Sequence, residues 1–165
     1  LLLHGRRCVR RCCATGSSPT SLACMGIGGF AAYAAGGVVL AWTALLCAYD
    51  IRERRLPDAL TVPPAVAASC ACLLYPPVAW GLLWPAWYLL VGRGIGGGDI
   101  KLAAPLGVAC AAAGGPFGVI AGFGLSGLLT VGAAGVFGRR SVPHGPSMLC
   151  AVWVLFPFLC MYSGV

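Results

Sequence analysis

Charged residues divide this chain into four long uncharged runs, residues 12–49, 59–92, 102–138 and 141–165. Each run holds one or two stretches of about 20 apolar residues, the length that crosses a hydrocarbon core of about 30 Å. The first run predicts a helix from about Leu22 to Tyr49, closed by Asp50 and the octet Ile51-Arg52-Glu53-Arg54-Arg55-Leu56-Pro57-Asp58. That octet reads as a loop, because Pro57 disfavours helix at Leu56 and Asp58 is suited to cap the next helix. The second run, Ala59 to Gly92, is divided by Tyr75-Pro76-Pro77 into two short helices, the later one carrying Trp80, Trp84, Trp87 and Tyr88. Aromatics at that density suit a membrane interface. A fourth helix is predicted from about Asp99 to Ala113, and Gly114-Gly115-Pro116 interrupts it. A fifth runs to about Gly138, and Pro146 opens a sixth after Val142-Pro143-His144-Gly145. The pattern therefore predicts an all-α, polytopic membrane helix bundle of about six transmembrane helices.

Within the fifth helix a small residue recurs at every fourth position: Gly114, Gly118, Gly122, Ser126, Thr130, Ala134 and Gly138. A seam of that kind lets helix backbones approach closely.

Composition agrees with the pattern. The chain has 165 residues, 59% hydrophobic and 9% charged, against about 25% charged in soluble domains. Its net charge of +7 is confined to the N-terminus and short loops, which reads as membrane topology and excludes a nucleic-acid partner. Ten cysteines contain no Cys-x-x-Cys pair, and Cys47, Cys70, Cys72, Cys110, Cys150 and Cys160 lie in apolar runs as small hydrophobes. Cys8, Cys12 and Cys13 sit among Arg6, Arg7, Arg10 and Arg11 without a histidine or a second cluster at ligand spacing. No metal and no cofactor is expected. Residues 1–20 read as a basic tail and 21–165 as the membrane-embedded domain.

With six spans, the loops at 50–58, 93–98 and 139–145 share one face and carry the positive charge, which makes that face cytoplasmic. The tail then falls on the other face, where its four arginines run against the same rule. Either the tail is not native or the span count is off by one.

The topology gives two acids a common depth. Asp50 ends the first helix and Asp99 begins the fourth, on the same face. Taken singly, each has a plainer reading: Asp50 as a helix-end charge paired with Arg54, and Asp99 as a helix cap. Taken together they form a candidate catalytic pair, since two close carboxylates do not both ionise cheaply and so divide into an acid and a base. Helix electrostatics would place a shared proton more on Asp50, at the negative end of one helix, than on Asp99, at the positive end of another. Gly96, Gly97 and Gly98 leave space for a foreign chain beside Asp99, and with Lys101 they form a candidate substrate-access loop.

The run Gly96-Gly97-Gly98-Asp99-Ile100-Lys101-Leu102, together with Asp50, Arg52, Leu56-Pro57-Asp58 and Pro143-His144-Gly145-Pro146, resembles the type IV prepilin peptidases, bacterial Gly-x-Gly-Asp aspartic proteases. His144 stands where that pattern leads one to expect an aromatic residue, and by itself reads as an ordinary loop residue. The resemblance implies that Asp50 and Asp99 are catalytic. It also implies that the substrate is a prepilin or pseudopilin, cut at the cytoplasmic side of the bacterial inner membrane just before its apolar helix. Longer members carry an N-terminal segment with paired Cys-x-x-Cys motifs and methylate the new terminus. This sequence reads as a short form without that segment, so peptidase activity is expected and methylation is left open.

Two other readings compete. A presenilin-like or signal-peptide-peptidase-like protease shares the Tyr49-Asp50 and Gly-Asp features, but its later Pro-Ala-Leu motif is missing. A small transporter or assembly subunit would use Asp99 to bind an ion or proton.

Overall fold

The structure, a computed structural model, describes residues 19–92, 95–138 and 142–163. The basic tail through residue 18, and Arg93, Arg139 and Arg140 of the predicted basic loops, lie outside the described residues. By its internal contacts the chain divides between Leu40 and Ala41. The first unit is helical from Pro19 onward, and the packing and the site described below lie in the second.

The described residues are almost wholly helical, in the order α1 (Pro19–Glu53), α2 (Asp58–Leu74), a 3-10 helix (Pro76–Leu82), α3 (Leu83–Val91), α4 (Gly97–Phe137) and α5 (Gly145–Ser163). The fold is all-α, as the sequence pattern predicted. Pro76 and Pro77 enforce the break after α2, and the 3-10 turn carries the chain directly into α3.

α4 is two arms. Gly114 (φ −141°, ψ 16°) and Gly115 (φ 59°, ψ −150°) leave helical geometry, and the positive φ of Gly115 is one that glycine adopts without steric cost. In one straight helix Cys110 and Gly122 would lie about 18 Å apart. Instead a methyl group on Gly122 would come within 3.0 Å of the Cys110 Sγ, and one on Gly118 would overlap the Cys110 carbonyl. The arms therefore fold back on one another as a hairpin, and the break expected at Gly114-Gly115-Pro116 is where the chain turns.

That hairpin is the centre of the bundle, packed against α2, the 3-10 helix, α3 and α5. Its inner surface supplies Leu102, Ala103, Leu106, Cys110, Ala111 and Val119 to a core completed by Leu46, Trp84, Met148 and Leu149. Gly81 of the 3-10 helix meets Gly107 of α4 backbone to backbone, so closely that a methyl on either would overlap the other residue. The upper part of the small-residue seam packs as expected: Gly114 against Leu159, Gly118 against the other arm, and Gly122 against Trp84, while Ser126 is fully buried. Gly138, at the far end, ends the helix in the left-handed region and faces open space.

The aromatic girdle expected along the third helix is split by its own periodicity. Trp80 and Trp87 are half exposed, but Trp84 and Tyr88, four residues apart on one face, are buried against Phe123 with ring centroids 6.2 and 5.8 Å away. Outside, the bundle is apolar as well: Leu73, Leu74, Leu90, Val136 and Met161 are each more than 80% exposed. A surface of this kind is stable against lipid rather than water. Residues 34–53 of α1, and α4, are long and apolar enough to cross a membrane.

Candidate active site

α1 ends where its sequence turns charged. Glu53 is its last residue, and Arg54 follows with φ 52°, the left-handed conformation that commonly terminates helices, its N–H donating to the Asp50 carbonyl oxygen at 3.1 Å. The turn takes Arg54 off the helical track, so the i, i+4 ion pair expected between Asp50 and Arg54 has no helix to support it. Among the described residues the ion pair present joins Lys101 to Asp58 instead.

The Asp50 side chain points inward. It is 7% exposed, and its Oδ2 accepts a hydrogen bond from the backbone N–H of Gly145 at 3.0 Å, in the first turn of α5. The contact depends on glycine, because a methyl on residue 145 would lie 2.8 Å from that same oxygen. Asp50 thus sits at the C-terminal end of one helix and the N-terminal end of another. The two ends act on it in opposite senses, which removes the basis for placing the proton by the end of α1 alone.

Asp99 is the third residue of α4, and the helix begins from Gly96, with no side-chain cap. The capping role open to Asp99 on sequence grounds is therefore not the one it takes: its backbone N–H bonds to the Gly96 carbonyl at 3.0 Å, and its half-buried carboxyl faces a cavity. Of the three glycines before it, Gly98 has a packing reason, since a methyl there would lie 2.8 Å from the Leu56 Cβ; Gly97 faces open space, and Gly96 is exposed.

Asp50 and Asp99 line one cavity of about 620 Å³ together with Arg54, Tyr88, Phe123 and His144. A second, of about 330 Å³, is bounded by both acids, Arg54, Arg55, Leu56 and Gly96, Gly97 and Gly98. The fold thus brings together the two acids and the three glycines named from the sequence. Lys101 is not with them. It lies on the flank facing α2, where its Nζ bonds the Asp58 Oδ1 at 2.6 Å, so Asp58 serves this pair rather than capping α2, whose cap position is Pro57.

The sequence reading passed over a third group. His144 is held at both ring nitrogens, Nε2 by the Tyr88 hydroxyl at 2.7 Å and Nδ1 by the Thr130 hydroxyl at 2.6 Å, and its ring packs against Tyr88 at a centroid distance of 5.7 Å. Burial pushes the imidazole below its ordinary range, and the neighbouring Asp50 charge opposes that shift. The available signal was the departure at Pro143-His144-Gly145-Pro146. Tyr88 had none, being one aromatic among four. Among the described residues no group of histidine, cysteine and acidic side chains is arranged to hold a metal.

An acid pair in a shared, partly closed cavity can act on a carbonyl through a water: one carboxylate takes the water proton while the other, protonated, supports the carbonyl oxygen. The model of the type IV leader peptidase family matches residues 37–132, which contain both acids. A prepilin leader peptidase/N-methyltransferase of Xanthomonas campestris pv. campestris is 31% identical over 151 residues, covering 78% of this chain and 51% of the relative. This chain thus spans about half the length of that relative. No solved structure matches it. With a family match across more than half of its length and an apolar bundle around the matched acids, this chain is a membrane protein that belongs to the type IV leader peptidase family.

Proposed function

We propose that this protein is an aspartic endopeptidase that removes the leader of type IV prepilins or pseudopilins at the cytoplasmic face of the bacterial inner membrane, with Asp50 and Asp99 as its catalytic pair. The observation that carries the reading is the shared cavity, into which two helices from distant parts of the chain each deliver a carboxyl. The ionised member removes a proton from water, whose oxygen attacks the scissile carbonyl carbon. The protonated member gives its proton to the carbonyl oxygen. Collapse of the tetrahedral intermediate breaks the C–N bond, and the amine leaves with a proton returned from the pair.

Gly96, Gly97 and Gly98 border the acids and leave room for an extended substrate backbone. The cytoplasmic orientation is supported by Arg52, Arg54 and Arg55, which follow Asp50 at the end of α1.

The test is co-expression with a candidate prepilin from the same genome, comparing the intact protein with Asp50→Asn and Asp99→Asn after checking membrane insertion. Loss of leader cleavage in both variants is the expected result. Cleavage surviving either substitution refutes the two-aspartate mechanism, and no cleavage of any prepilin by the intact protein favours an ion- or proton-binding subunit.

A further inference from the structure

His144, at the entry to α5, is tied down by a run of hydrogen bonds whose direction can be assigned. The Thr130 hydroxyl has one proton, which it donates to the Ser126 carbonyl at 2.9 Å. It therefore has none for His144, and the 2.6 Å contact must be Nδ1–H donating to the Thr130 Oγ1. A neutral imidazole protonated at Nδ1 carries a bare Nε2, which accepts the Tyr88 O–H at 2.7 Å. Each link has one donor and one acceptor, and the chain joins α3, the second arm of α4 and the entry to α5. The residue that follows His144 is Gly145, whose N–H meets Asp50. The His144 carbonyl, in turn, accepts from the Met148 N–H at 3.1 Å in the first turn of α5.

We propose that His144 is a positioning residue for Asp50: a neutral imidazole, protonated at Nδ1, that pins the turn before α5 between Tyr88 and Thr130 so that the Gly145 N–H stays aimed at the Asp50 carboxyl. The proposal deepens the peptidase reading and rests on it for its catalytic consequence. Side-chain hydrogen bonds of this sort fix the orientation of a neighbouring reactive group, as the outer partners of metal ligands and catalytic bases do. A proton added at Nε2 turns that nitrogen from acceptor to donor, so the Tyr88 O–H must turn away and its oxygen accept instead. The titratable and charged groups that share its cavity are Asp50 from α1, Arg54 just beyond it, Tyr88 from α3 and Asp99 from α4. Of these, Asp50 acts on the imidazole directly through its charge.

The chain has two histidines, so replacing His4 by glutamine leaves His144 as the one reporter in protein labelled with ¹⁵N-histidine. At neutral pH in detergent micelles its ring signals should show Nδ1 protonated and Nε2 bare. Thr130→Val, which removes the acceptor, should move the proton toward Nε2, and Asp50→Asn should lower the pH at which the ring protonates. In leader-cleavage kinetics His144→Ala should lower kcat about tenfold with KM within about twofold, the mark of a misplaced reacting group. His144→Asn, whose amide keeps the bond to Thr130, should recover kcat to within about threefold of the unsubstituted chain.

An Nε2-protonated ring in the unsubstituted chain overturns the proposal, as does a midpoint unmoved by Asp50→Asn or an unchanged kcat in His144→Ala. Should the unsubstituted protein cleave no prepilin, the peptidase reading falls, and the ring signals alone still decide whether His144 is tied as described.

Discussion

Gly145→Ala separates two forces that act in opposite directions. Alanine is the better helix former by up to about 1 kcal/mol in a helix interior, and Gly145, the first residue of α5, has no positive φ to forbid it. Propensity alone therefore expects a slightly more stable protein. The site expects the reverse. The new methyl would stand 2.8 Å from the Asp50 Oδ2 and 3.3 Å from its Cγ, well inside ordinary contact. The cheap relief is rotation of the Asp50 side chain, but that breaks the 3.0 Å bond from the Gly145 N–H and leaves a buried carboxyl without it. A hydrogen bond to a charged group is worth about 1.5–3 kcal/mol, so after the gain in propensity the net loss should be about 1–2 kcal/mol. Catalysis should suffer more, because moving a reacting group by about 1 Å can cost about 100-fold. The assay is leader cleavage by purified protein in detergent, with kcat and KM resolved, beside a thermal unfolding curve. The expected result is a lower Tm and a kcat reduced by about 10- to 100-fold. Cleavage within twofold of the unsubstituted protein would refute the claim that the Gly145 contact holds Asp50 in place.

Gly81→Ala or Gly107→Ala should destabilise by about 2–3 kcal/mol, because backbone faces backbone at that crossing and neither side can rotate away; thermal unfolding reads it. Lys101→Ala should leave kcat within about threefold and stability within about 1 kcal/mol, since its partner Asp58 is 71% exposed and surface pairs of this kind contribute little. Because burial lowers the His144 proton affinity in the folded chain, the unfolded chain takes up the extra proton first as pH falls. The contribution of the neutral ring is therefore complete above the unfolded imidazole range and is lost as pH falls through the lower, folded value. Scanned from pH 7 downward, Tm should decline more steeply for the unsubstituted chain than for His144→Phe, and equal slopes would contradict the buried, neutral ring.

Long uncharged runs and their proline and glycine interruptions were enough to reveal the helices, because crossing lipid demands about 20 apolar residues and each break needs a residue that cannot continue a helix. Gly115 is the clearest instance: its place in the sequence marked a break, and its positive φ is where α4 turns back. The two acids were legible for a similar reason, since a carboxyl beside an apolar helix is costly enough to stand out against its surroundings. What the sequence could not carry was pairing between distant segments. Asp50 and Gly145 are 95 positions apart, Tyr88 and His144 are 56 apart, and neither partner bears a local mark of the other. Periodicity assigns a residue to a helix, but whether its face meets protein or lipid depends on how the helices cross. Trp84 is therefore buried and Trp87 half exposed within one short helix. Lys101 shows the same limit at the site itself: three residues from Gly98 along the chain, it is turned by the helix toward Asp58 and away from the acids. The sequence by itself determined which elements form and which charged groups need explaining. Only the tertiary structure decided which of those groups share a cavity and which hydrogen bonds hold them there, because those contacts are made across helices and not along them.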